Sequence, residues 1–267
     1  MLGVESLPSS PIEAAADAGG QQQQQQPKKN LCRNYNTDFT QSTEGWIAEN
    51  SAQDTYELTP DGIRMNLVPP NNYVRMHDVQ NLPYNQFEGR GPTFNATNYM
   101  HFGRLSATIK SANVGGAITA VILIADNKDE IDIELLGGDP NHAQSNYFWG
   151  NHPLYTINGG YHEVTGKPVY DDFHTYTIDW SPERIEWSID GQVVRTREKK
   201  DTCDETGLCK YPSDPARVQI GLWDGSIESG TAQWSRGPID WTQYNRITSE
   251  IKRVEVECDP NWNEVIA

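Results

Sequence analysis

Ala117-Ile118-Thr119-Ala120-Val121-Ile122-Leu123-Ile124-Ala125 runs into Asp126-Asn127-Lys128 and then into Asp129-Glu130-Ile131-Asp132-Ile133-Glu134, and this stretch decides the fold. The first run is apolar except for Thr119, the pattern of a strand buried on both faces. Asp126-Asn127-Lys128 supplies turn-forming residues. After the turn the pattern becomes strict alternation. Residues two apart on a β-strand share a face, so Glu130, Asp132 and Glu134 project together, while Ile131, Ile133 and Leu135 project from the other side into a core. The stretch predicts a strand with a packed back and a front that carries only carboxylates.

The same texture extends outward. In Phe102–Lys110, Leu105, Ala107 and Ile109 alternate with Arg104, Ser106, Thr108 and Lys110. His174–Trp180 alternates again, Ser181-Pro182-Glu183-Arg184 turns the chain, and Ile185, Trp187 and Ile189 point one way from the next strand. Asp190-Gly191 is a two-residue hairpin signal. Val218–Trp223 and Ile251–Val256 complete the set. There is no internal repeat and no long helical pattern. Many antiparallel strands at regular spacing predict an all-β sandwich or barrel. Two bent sheets bury the alternating apolar faces and leave one concave face to a ligand, and 267 residues suit one such domain. Helix is expected to be scarce.

Residues 1–30 differ in kind: Ser, Pro, Ala and Gly, six consecutive Gln, then Pro27-Lys28-Lys29. This composition buries too little apolar area to offset its ordering entropy and predicts a disordered Gln-rich segment. Residues 31–267 are then the folded domain. Met1–Gln26 lacks the apolar core of a signal peptide, and no stretch approaches the ~18 apolar residues of a membrane span.

Thirty-seven acidic against twenty-one basic residues give a formal charge of −16. Nucleic acids and anionic membranes are bound mainly through clustered Lys and Arg, so this balance argues against both. A neutral polymer is compatible with it. Eight Trp and twelve Tyr fill a core or line a surface that binds flat apolar faces, such as those of sugar rings. Trp180 and Trp187 share period-two positions with Ile178, Ile185 and Ile189 and read as core, whereas Trp234 and Trp241 fit either use. His174 lies inside an alternating strand and reads as a structural hydrogen-bond partner.

Four cysteines allow three pairings. The spacing of Cys203 and Cys209 suits a small closed loop, which would leave Cys32 and Cys258 to join the ends of the folded region; four buried thiols are the alternative. The sequon Asn95-Ala96-Thr97 leans toward a secreted protein. The six His show no paired ligand spacing and the cysteines form no CxxC motif, so no metal and no cofactor is expected.

Three acids on one face cannot all ionise cheaply, because neighbouring like charges raise the pKa of at least one. Retaining glycoside hydrolysis needs that division of labour, one ionised carboxylate as nucleophile and one protonated carboxyl as general acid. On a straight strand Glu130 and Glu134 lie roughly 13 Å apart at Cα, whereas the carboxyls of a retaining pair sit ~5–5.5 Å apart. Long Glu side chains leaning toward each other on a concave strand could close much of that gap. A solvated strand face, a Ca²⁺ site and the acidic rim of a sugar-binding module are the competing readings.

The wider pattern resembles glycoside hydrolase family 16, and within it the fungal cell-wall transglycosylases of the Crh type. The likeness is carried by Asp129-Glu130-Ile131-Asp132-Ile133-Glu134, Gly137-Gly138-Asp139, Gln144-Ser145-Asn146-Tyr147-Phe148, Phe173-His174-Thr175-Tyr176 leading to Trp180, Ile185-Glu186-Trp187, and Gly221-Leu222-Trp223 ahead of Trp234. It spans most of residues 32–258. It implies a β-jelly-roll sandwich, concanavalin-like, with a glycan cleft on the concave sheet. It implies Glu130 as nucleophile, Glu134 as general acid/base and Asp132 as the residue that tunes the nucleophile. Trp223 matches a sugar-stacking position; Tyr147, Asn146 and Gln144 are further candidate substrate contacts. Leu135 stands where the family usually carries an aromatic.

The resemblance implies a monomeric, secreted or cell-wall enzyme that cleaves chitin or β-glucan and transfers the chain to a sugar acceptor. An endo-β-1,3(4)-glucanase with the same residues is the alternative, and a non-catalytic sugar-binding module is a further one. The chain shows no cysteine-rich chitin-binding module, no Ser/Thr-rich stalk and no anchor signal, so membrane anchoring is not expected.

Overall fold

The computed structural model describes residues 29–150, 152 and 157–266. Residues 1–28 of the Gln-rich segment lie outside the described residues. Asn30 already belongs to a strand, Asn30–Arg33, which pairs in parallel with Asn263–Ile266.

Seven strands form the sheet that carries the acids: β1 (Trp46–Ala48), β2 (Thr93–Met100), β3 (Ala117–Ala125), β4 (Glu130–Leu136), β5 (His142–Phe148), β6 (Gly160–Glu163) and β7 (Ala216–Asp224). Their spatial order is β6-β5-β4-β3-β7-β2-β1, antiparallel throughout. The second sheet is built around Ile247–Cys258, which pairs with Gly103–Lys110 on one side and Gly62–Leu67 on the other. His174–Trp180, Arg184–Ile189 and Gln192–Glu198 extend it outward from Gly103–Lys110. The molecule is the expected all-β sandwich of two bent antiparallel sheets. Among the described residues the single α-helix, α1 (Ser229–Trp234), is one short turn-and-a-half beside two 3₁₀ turns.

The alternation read from the sequence sets which side chains meet between the sheets. Val121, Leu123, Ile131, Ile133 and Leu135 come from the acid-bearing sheet, and Leu105, Ala107, Ile178, Trp180, Trp187 and Val254 from the other, all 3% exposed or less. Each of these side chains larger than alanine contributes roughly 1.5–3 kcal/mol relative to exposure. Trp180 and Trp187 are core residues, as period two requires. Leu135 packs wholly inside, so an aliphatic side chain serves the core at that position. The Asp190-Gly191 turn forms with φ of 49° and 80°, the left-handed pair that a tight hairpin needs.

Both disulfides form, Cys32–Cys258 and Cys203–Cys209. The first links residues 226 apart, and in the chain-entropy model a loop of that length removes roughly 5 kcal/mol of freedom from the unfolded chain. The sequon is corrected by the structure. Asn95 sits in β2 between β1 and β7 at 2% exposure, its amide donating to Glu49 and accepting from Gln219 Nε2 at 2.7 Å. A glycan has no access to that nitrogen in the folded protein.

Candidate active site

The register of β4 fixes the site. Glu134 pairs with Gln144 on one side and Ala120 on the other; Asp132 lies between Asn146 and Ile122, and Glu130 between Phe148 and Ile124. Directly paired residues share a face, so these side chains form three short rows on the open side of the sheet. Glu130 and Glu134 both line one groove of about 280 Å³, whose remaining walls are Thr93, Ala120, Ile122, Gln219, Gly221 and Trp223. Asp132 lies beneath, 2% exposed. Ala120 and Gly221 keep the floor low. A larger groove of about 590 Å³ lies near Lys29 and Asp214, away from the three acids.

Each acid has a distinct electrostatic setting. Burial pushes the Glu134 carboxyl up to about 8, and the charge of Glu130 adds to the effect. Burial also raises Glu130, but a hydrogen bond from Asp132 and the charge of Lys128 oppose the rise. Asp132 is driven well above the usual carboxylate range, first by burial, then by the charges of Glu134 and Glu130, with Arg195 and the Asn146 N–H acting against them. The hydrogen bond from Asp132 favours the charged form of Glu130, while Glu134, pushed up to about 8, keeps its proton at neutral pH. One ionised carboxylate and one protonated carboxyl on a single strand face is the arrangement that double-displacement chemistry requires.

These shifts carry a stability cost whose sign is definite. A carboxyl raised in the folded state contributes stability that is complete below about pH 4.5, its unfolded value, and that is lost as pH rises through about 8. Glu134→Gln removes that liability. Its Tm is expected to exceed the wild type by about 3–6 °C at pH 8 and to match it within about 1 °C at pH 4. Scanning calorimetry at the two pH values checks this; a variant no more stable at pH 8 than at pH 4, relative to wild type, overturns the assignment of a buried, raised carboxyl.

The strand is held at its start. Asp129, 2% exposed, accepts Gly150 N–H at 2.7 Å through Oδ1 and Ser213 N–H at 2.8 Å through Oδ2. Its own N–H donates to Asn127 Oδ1 at 2.8 Å. One carboxylate thus ties two loops to the residue before Glu130.

Beneath the strand lies a group that the sequence reading did not single out. Arg195, on the strand Gln192–Glu198 of the opposite sheet, donates to Ser145 O at 3.1 Å, Ser145 Oγ at 2.8 Å and Asn158 O at 2.6 Å. Its guanidinium lies 4.5 Å from the centroid of Trp187, whose Nε1 donates to Asp132 O at 3.2 Å. This inward cation faces the back of the acidic strand. No local pattern marks it, because Val193, Val194, Arg195 and Arg197 read as an ordinary edge strand.

Among the candidate contacts, Gln144 and Asn146 lie on the face of the acids, and Trp223 walls the groove. Tyr147 does not belong with them. It is 1% exposed between the sheets, where Arg197 Nε donates to its hydroxyl at 3.0 Å. Period two requires this: Gln144 and Asn146 face the cleft, so Ala143, Ser145 and Tyr147 face the core. Trp234, left open by the sequence, joins the cleft wall. Its ring stacks with Trp223 at 6.1 Å between centroids and its Nε1 donates to Gln144 Oε1 at 2.9 Å. Trp241 is buried and donates to Asp224 Oδ2 at 3.1 Å. His174 binds Asp190 through Nδ1 at 2.7 Å and Lys167 O through Nε2 at 3.0 Å, the structural role expected of it.

The molecule is a two-sheet sandwich with an open groove over a strand of three carboxylates. The profile of glycosyl hydrolases family 16 matches residues 34–243, and the chain belongs to that family. It is 42% identical over 148 residues to "Crh-like protein 2" of Aspergillus fumigatus, a match covering 54% of this chain and 33% of that protein. It is 37% identical over 155 residues to "Crh-like protein UTR2" of Candida albicans, covering 57% and 32%. The chain thus spans about a third of the length of these relatives. In three dimensions it is similar to "Crh5 transglycosylase in complex with NAG", with a TM-score of 0.72, 29% identity and 87% of each chain covered. A Bacillus licheniformis β-glucanase shares the fold, at a TM-score of 0.65, 19% identity, and 85% and 99% coverage.

Proposed function

We propose that this chain cleaves a β-linked cell-wall polysaccharide, chitin or β-glucan, and transfers the segment held as a glycosyl-enzyme to a sugar acceptor with net retention. The observation that carries the reading is that Glu130 and Glu134 line one groove, beside a buried Asp132, in three different electrostatic settings. Glu134 gives its proton to the glycosidic oxygen as a Glu130 carboxylate oxygen attacks C1, and the C1–O bond to the leaving segment breaks. Asp132 hydrogen-bonds Glu130 and spreads its charge. In the second half the hydroxyl of an acceptor sugar gives its proton to Glu134 and attacks C1, releasing Glu130. Trp223 and Trp234 offer ring faces to sugar, and Gln144 and Asn146 offer amides to hydroxyls. The two disulfides suit an oxidising location, secreted or in the cell wall.

Incubation with chitin oligosaccharides or β-1,3-glucan and a labelled oligosaccharide acceptor tests the reading. Labelled products longer than the acceptor are expected. New reducing ends without them identify a hydrolase. Binding without any turnover identifies a sugar-binding module.

A further inference from the structure

The cleft continues past the groove that holds the two reactive carboxylates. On β6, the edge strand of the sheet, Tyr161 pairs with Gln144, which pairs with Glu134. Tyr161 therefore shares the face and the row of the acid/base, two strand spacings or roughly 10 Å away. It is 51% exposed, yet its ring is fixed. His142 stacks on it at 4.2 Å between centroids and 21° between planes. Asp139, 7% exposed, accepts the Tyr161 hydroxyl with Oδ2 and faces His142 Nδ1 with Oδ1 at 2.8 Å. Burial alone would raise the Asp139 carboxyl, but the bonds from Tyr161 and His142 outweigh it and hold it below its ordinary value. Arg236 Nη2 lies 3.9 Å from the same carboxylate, two residues after Trp234. The wall that begins with Trp223 and Trp234 thus runs on to a braced aromatic ring.

Which sugars reach that ring follows from the groove. Glu130 and Glu134 line it together over β3, β7 and β2. The sugar seated there carries the carbon that is attacked. A chain crossing Glu134 away from that groove passes over β5 and β6. The leaving segment, and then the acceptor that replaces it, lies on that side. A solvent-facing tyrosine ring held flat by a stacked imidazole presents the kind of π-face on which sugar rings pack. Pre-ordering lowers the entropy lost on binding.

We propose that Tyr161, braced by His142 and Asp139, is the platform that receives the acceptor sugar chain. The assignment rests on the transfer reading above and adds to it the place where the acceptor is held. The ring rather than the hydroxyl makes the contact.

Transfer and hydrolysis are measured together for wild type, Tyr161→Ala and Tyr161→Phe, with labelled acceptor varied. In Tyr161→Ala the transfer-to-hydrolysis ratio is expected to fall about tenfold, with a matching rise in acceptor KM. Tyr161→Phe is expected to retain most of the ratio. An unchanged ratio in Tyr161→Ala, or transfer and hydrolysis falling in proportion, overturns the platform. Should wild type turn over no glycan, the functional reading fails separately. The platform is then judged by calorimetric titration with chitin and β-1,3-glucan oligosaccharides. Binding weakened about tenfold in Tyr161→Ala supports it, and equal binding overturns it.

Discussion

Glu130→Gln is expected to lower turnover by about 10⁴-fold or more, because the amide keeps the shape and loses the proposed nucleophile. The stronger evidence is stereochemical. In Glu130→Ala the space beside C1 opens to a small anion, and azide attacks there in a single displacement while Glu134 still protonates the leaving oxygen. An activated β-glycosyl donor plus azide is then expected to give an α-glycosyl azide, read by proton NMR of the anomeric signal. A β-azide from this variant would mean that the glycosyl-enzyme forms elsewhere. Far-UV circular dichroism matched to wild type excludes a folding defect as the cause of the loss.

Glu134→Gln is expected to cost about 10²–10⁴-fold in kcat, the range for losing a positioned acid/base. The loss should be steep on substrates with poor leaving groups and shallow on activated aryl glycosides, which depart without a proton. Azide added to Glu134→Ala attacks the glycosyl-enzyme on Glu130 without needing a base, so the product retains the β configuration. The two alanine variants thus give opposite anomers from the same donor. The wild-type kcat/KM should fall on the alkaline side as Glu134, raised to about 8, loses its proton. A descending limb near pH 5 instead would leave Glu134 without its assigned role.

Much of this was legible from spacing. Ala117–Ala125 forms a strand with the bounds of its apolar run, His174–Trp180 one with the bounds of its alternation, and Val218–Trp223 lies inside β7. The shared face of Glu130, Asp132 and Glu134 follows from period two alone. What failed to show was non-local or required the same rule to be applied more strictly. Tyr147 lies one residue from Asn146, so a strand that turns Asn146 to the cleft must turn Tyr147 inward. Asn95 carries a recognisable triplet, but a triplet says nothing of the strands that close over it. Arg195 meets Ser145 across the sandwich, and Trp234 meets Gln144 from a short helix far along the chain. Contacts of that kind depend on how sheets stack and loops return, and no window of sequence contains both partners.

The anchoring of Asp129 has a further consequence. In a strand of period two, a shift of one residue exchanges the faces entirely. Ile131, Ile133 and Leu135 would stand in the cleft and three carboxyls would enter the core. No partial displacement yields a partly correct site, so alignment errors here are all-or-none. By tying two loops to the residue before Glu130, Asp129 acts as an index mark for the whole strand. It keeps the fold from trading a working cleft for a mispaired sheet.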